Sequence, residues 1–130
     1  MPLVKVEIFK GKSIEYKNAL LDGIHSALVE AFRIPDYDRM QRLYELEREN
    51  FEIASSKTTQ FTLIEITAFQ GRSLEAKKSL YSAIIRNLGQ LPGINGDDIT
   101  IVLYEPPLEN WGIRGGRPAN EVDVGFEINV

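Results

Sequence analysis

An offset of 60 residues, the separation of Gly11 from Gly71, brings this 130-residue chain into register with itself. Leu3 falls on Leu63, Phe9 on Phe69, Gly11 on Gly71 and Ser13 on Ser73. Glu15 meets Glu75, Lys17 meets Lys77, and Leu20, Ile24 and Leu28 meet Leu80, Ile84 and Leu88. Farther on, Ile34 meets Ile94, Asp38 meets Asp98, and Leu43-Tyr44-Glu45 recurs as Leu103-Tyr104-Glu105. One ungapped register over so long a stretch marks a duplication, and both copies must then build the same supersecondary unit.

That unit reads as βαβ. Val4, Val6 and Ile8 share one strand face, and Gly11 ends the strand. Ser13 is a good helix N-cap, with Glu15 favourable in the first turn. Leu20, Ile24, Leu28 and Ala31 follow at helical spacing, and Pro35 stops the helix near Arg33. Gln41 to Leu46 reads as the second strand. In the second copy Ile64, Ile66 and Ala68 form the strand face and Ser73 the cap. Leu80, Ile84 and Leu88 form the stripe there, and Ile99 to Tyr104 the closing strand. A crossover helix makes the strands of each unit parallel. The expected fold is therefore α+β, or α/β within each repeat. Two tandem βαβ units form a four-stranded mixed sheet with both helices on one face. One domain is expected over 1–130, with repeats at about 2–46 and 62–105 and a terminal loop and strand over 106–130. Leu3, Leu63 and Phe69 would leave the other sheet face apolar, so self-association is expected. Tyr44 and Tyr104 read as packing residues of paired strands.

Composition removes several function classes. The chain has no Cys, which excludes disulfides, thiolate metal sites and thiol nucleophiles. His25 falls where the other copy has Ile85, so it reads as a partly buried helix residue. A net charge of −4 argues against a nucleic-acid surface. The acids of Glu45-Leu46-Glu47-Arg48-Glu49 read as a solvated strand end, so no metal site is expected. No dinucleotide fingerprint follows a strand, and no organic cofactor is expected. With no signal peptide, membrane span or lipidation motif visible, a soluble cytoplasmic protein is the default.

Pro2 stands directly before the first strand. An initiator Met before a residue this small is usually removed, which would leave Pro2 as a free secondary amine at a sheet edge. Such a group is a nucleophile and a tunable acid or base. Between the repeats, Glu47 to Thr59 reads as a polar loop. After them, the turn-rich segment Pro106 to Pro118 holds the single tryptophan, Trp111, together with Arg114 and Arg117. A terminal strand from Val122 to Val130 is expected to follow.

The duplicated βαβ units and the leading proline resemble the tautomerase superfamily. Pro35-Asp36-Tyr37-Asp38-Arg39-Met40-Gln41 is similar to a P-x-x-D-R-x-Q stretch of its malonate semialdehyde decarboxylase branch. Gly71-Arg72-Ser73 and Trp111-Gly112-Ile113-Arg114-Gly115 extend the likeness along the chain. The resemblance implies a homotrimer closing over the open sheet faces, with an active site around the amino-terminal proline at a subunit interface. It implies that Pro2 is the catalytic amine, Asp38 a carboxylate beside it, and Arg72 a substrate-binding cation. Trp111 and Ile113 would form an apolar wall. The branch's other arginine falls at Gln70, which offers only neutral donors, so Arg114 or Arg117 would supply a replacement charge. The activity expected is keto–enol tautomerisation of a small anionic 2-keto acid such as phenylpyruvate, with Gln70 bonded to the keto oxygen. A decarboxylase or hydratase acting on a three-carbon oxo acid, and a non-catalytic trimeric scaffold, stay open beside it.

Overall fold

The duplication is written into the hydrogen-bond ladders. The computed structural model describes residues 2–130, so Met1 and the expected loss of it lie outside the described residues. β1 (Leu3–Phe9), α1 (Ile14–Phe32) and β2 (Gln41–Leu46) make the first unit. β3 (Thr62–Thr67), α2 (Leu74–Gln90) and β4 (Ile99–Tyr104) make the second. Val4 lies beside Gln41 in the parallel β1–β2 ladder, and Ile64 beside Ile101 in the parallel β3–β4 ladder. These are the same register carried across the repeat. β1 and β3 meet antiparallel at the centre, giving a mixed sheet in the order β2-β1-β3-β4. There Lys5 faces Glu65, its own repeat counterpart, so a pseudo-two-fold axis passes between them.

The helices start and stop where local chemistry dictates. Ser13 Oγ accepts from the Tyr16 amide and Ser73 Oγ from the Ala76 amide, both at 3.1 Å. α1 closes at Arg33, which takes a left-handed conformation with φ 55° and donates its amide to the Val29 carbonyl. Pro35 lies just beyond. The core forms where Val4, Val6, Ile8, Ile64 and Ile66 meet Leu20, Ile24, Leu28, Leu80, Ile84 and Leu88, all buried. Burial of each such side chain contributes about 1.5–3 kcal/mol. His25 is also buried, 3% exposed, with Nε2 at 2.8 Å from the Asp36 carbonyl, where it pins the turn after α1. No helix among the described residues is long and apolar enough to cross a membrane.

The sheet face away from the helices is more mixed than expected. Leu3 and Leu63 are half-buried there, but Lys5 and Glu65 stand between them with charged atoms 3.9 Å apart. Leu3 also packs against Phe69, on the side of the chain opposite the helix-facing Ala68. Phe69 lies beyond β3 in a second apolar cluster with Trp111 and Ala119. Tyr44 and Tyr104 do not pack between paired strands. They sit on opposite edge strands and are 43% and 49% exposed.

The expected terminal strand does not form. Val122, Val124, Phe126, Ile128 and Val130 alternate inward as a strand's residues would, yet no ladder joins them. The Asp123 carboxylate accepts the Gly125 amide at 2.8 Å, and Gly125 bends the chain at φ 87°. The segment then crosses the end of the sheet, and the Val130 carbonyl accepts the Ser73 amide at 3.0 Å. A short hairpin of β5 (Gly112–Ile113) and β6 (Arg117–Pro118) precedes it.

Candidate active site

Register alone fixes the neighbours of Pro2. The Val4 amide donates to the Met40 carbonyl at 3.1 Å, so the start of β1 runs beside 38–40. On the other side Leu3 faces Thr67, which sets Pro2 level with Ala68 and one residue from Phe69. Pro2 itself is buried. It sits between the segment that carries Asp38 and the segment that carries Phe69. The second repeat shows what that geometry does. Asp98, counterpart of Asp38, accepts the amide and hydroxyl of Thr58, four residues before Thr62, the counterpart of Pro2. An aspartate at this position reaches the chain entering the central strand.

A cleft of ≈ 300 Å³ opens at this end of the sheet. Pro35, Tyr37, Asp38, Phe69, Ile113, Arg114, Val124 and Phe126 line it. Asp38 is half-buried after the tight turn in which its amide donates to the Pro35 carbonyl at 3.0 Å. Phe69 packs edge-on against Trp111, with ring centres 4.8 Å apart, and lies 6.5 Å from Phe126. Trp111 thus backs the wall from behind, and its Nε1 donates to the Pro106 carbonyl at 3.2 Å. Arg114 reaches the rim from the β5–β6 turn. Arg114, Gly115 and Gly116 all take positive φ, a run that depends on the two glycines.

Arg72 lies deeper. It is 7% exposed, and one guanidinium nitrogen donates to the Phe69 carbonyl at 3.0 Å. The guanidinium stacks 4.7 Å from the Phe32 ring centre and 5.9 Å from that of Phe126. Its Nε is buried with no hydrogen-bond acceptor among the described residues. Burial pulls its pKa down, while the negative charges of Glu105 and Asp38 oppose the shift. It remains a cation behind the aromatic wall. Gln70 is exposed and Arg117 donates to the Glu121 carbonyl at 3.2 Å; neither lines the cleft. The structure therefore gathers Asp38, Ile113 and Arg114, backs them with Trp111 and Arg72, and leaves Gln70 and Arg117 aside. Sequence reasoning missed Tyr37, Val124 and Phe126. Tyr37 adjoins Asp38 and is 86% exposed, an aromatic in a turn that its neighbours could have flagged. The inward alternation of the terminal segment was the signal for Val124 and Phe126.

One carboxylate, one rim cation and apolar walls suit a small anion with a flat body. A family model described as a tautomerase enzyme matches residues 38–114. The chain belongs to the tautomerase family. A second tautomerase enzyme model matches residues 2–57. Over 122 residues this tautomerase-family chain is 27% identical to the probable tautomerase YusQ of Bacillus subtilis (strain 168). That match covers 90% of this chain and 96% of the relative. The solved structure of a malonate semialdehyde decarboxylase is similar at a TM-score of 0.83 and 25% identity, covering 93% of this chain and 99% of that one. A symmetric trimer of fused 4-OT is similar at 0.79 and 25% identity, covering 91% and 96%.

Proposed function

We propose that this chain is an amino-terminal-proline keto–enol tautomerase acting on a small 2-keto acid such as phenylpyruvate. The observation that carries the reading is a cleft with Asp38 and Arg114 in a wall otherwise made largely of Phe69, Ile113, Phe126 and Val124. Asp38 and Phe69 come from the two segments that flank the start of β1, while Pro2 itself is buried and not part of the lining. Removal of Met1 would turn the Pro2 nitrogen into a secondary amine between those two segments. In its neutral form the amine takes the enol O–H proton and returns a proton to the adjacent carbon. The enol becomes the ketone with no net change in protons. Arg114 holds the substrate carboxylate at the rim, and the buried Arg72 adds positive potential behind it. The aromatic wall excludes water and strengthens both effects.

A second reading has its own observation. The Asp38 carboxylate lines the cleft, and a nearby negative charge favours a cationic amine. A cationic proline polarises a carbonyl and suits decarboxylation of a three-carbon oxo acid. The pH profile separates the two, because a neutral base gains activity as pH rises through its pKa and a cationic acid loses it.

The test is ketonisation of enol phenylpyruvate by protein whose intact mass shows Met1 removed, beside its Pro2→Ala variant. The variant should lose at least about a hundredfold in rate, the low end for a positioned acid–base group. Equal rates would sink the amine mechanism and move weight to the non-catalytic trimer.

A further inference from the structure

The repeat runs on past the strands. At the same offset Phe51 falls on Trp111, Ile53 on Ile113 and Lys57 on Arg117. The geometry follows the sequence. Phe9 and Phe51 have ring centres 4.9 Å apart, and their counterparts Phe69 and Trp111 stand at 4.8 Å. A single 3₁₀ turn leads into each, Arg48–Asn50 and Leu108–Asn110. Beside the first of these aromatic pairs lies a second cleft, of ≈ 380 Å³, lined by Phe9, Arg48, Phe51, Ile53, Lys57 and Thr58. It shares with the first cleft the related positions Phe9/Phe69 and Ile53/Ile113.

The charges in this second cleft are arranged for an anion. Its titratable wall residues are both cations. The Arg48 guanidinium stands 5.8 Å from the Phe9 ring centre and makes no hydrogen bond or ion pair among the described residues. Lys57 Nζ donates to the Asp97 carbonyl at 2.6 Å and keeps further N–H groups. Lys12, counterpart of Arg72, donates to the Thr59 carbonyl at 3.3 Å and adds a third positive charge nearby. Two of the neighbouring acids are engaged elsewhere, and Glu49 and Glu52 on the same segment are exposed and do not line the cleft. Both Asp98 oxygens are taken by Thr58, and Glu47 pairs with Lys10 at 3.2 Å. The counterpart of Pro2 is Thr62, whose mid-chain nitrogen is an amide and cannot act as an amine base.

We propose that this second cleft is a non-catalytic binding site for a small carboxylate with a flat apolar body, such as an aromatic acid. Arg48 and Lys57 take the carboxylate, and Phe9, Phe51 and Ile53 take the ring. The site does not depend on the tautomerase reading, because Pro2→Ala protein should bind equally well. Benzoate is the probe, titrated into the full assembled protein and followed by backbone amide NMR and calorimetry. Amides of Phe51, Ile53 and Thr59 should shift and saturate, and Arg48→Ala should weaken that phase about tenfold or more. Phe51→Trp in a Trp111→Phe background gives a fluorescent reporter in the second cleft alone, using the residue the other repeat carries there. Its emission should titrate with the same affinity. Shifts confined to Ile113 and Arg114, or an affinity indifferent to Arg48→Ala, would overturn the proposal.

Discussion

At the scale of single residues, the two arginines near the cleft should separate by experiment. Arg114 is exposed at the rim and Arg72 is stacked between Phe32 and Phe126. Arg114→Ala should raise KM for a keto acid about tenfold, through loss of a charge-assisted hydrogen bond. Its stability should stay within about 0.5 kcal/mol of the parent, as for other exposed positions. Arg72→Ala should instead cost about 2 kcal/mol in urea unfolding, because a stacked, hydrogen-bonded cation leaves the core edge. A KM effect larger for Arg72 than for Arg114 would reverse these roles. The difference was not legible in the sequence. Gly71-Arg72 marks where the cation sits along the chain. How deep it lies depends on Phe126, 54 residues on in the numbering, and on a segment whose path is set by the bend at Gly125.

At the scale of elements, Asp98 tethers the long connection between the repeats to the start of β4. It is 4% exposed and accepts the Thr58 amide at 2.9 Å and the Thr58 hydroxyl as well. These two hydrogen bonds, the hydroxyl's first, hold its carboxyl below the usual carboxylate pKa, with Lys57 adding to the effect. A depressed folded pKa contributes stability that is present above the unfolded value and is lost as pH falls through the folded one. Asp98→Ala should therefore cost about 1–3 kcal/mol near neutral pH. The gap in urea midpoint between parent and variant should close as the pH series moves below the carboxylate range; a gap independent of pH would show that the tether does not act through charge. The limits of α1, β2 and β4 were readable because caps, prolines and alternation act within a few residues. The terminal segment misled for the same reason. Its period of two is real, but a strand also needs a ladder partner, and no local pattern supplies one.

At the scale of the whole molecule, the open sheet face bears on self-association. Leu3 and Leu63 flank the Lys5–Glu65 pair there, so the surface is partly apolar with a charged centre. We propose a homotrimer that covers this face, in keeping with the fused 4-OT trimer that the chain resembles. Light scattering should give three times the 14.7 kDa chain mass. A monomer at micromolar concentration would refute it. The pseudo-two-fold axis has one more consequence. Joining two like units head to tail consumes one chain beginning, since every residue after the junction is held in a peptide bond. A duplicated protein of this design can keep both of its hollows, but only one of them can border a free amine. The aromatic pair is inherited twice and the place for a free amine once, so a hollow beside the second pair is free to take a different occupant.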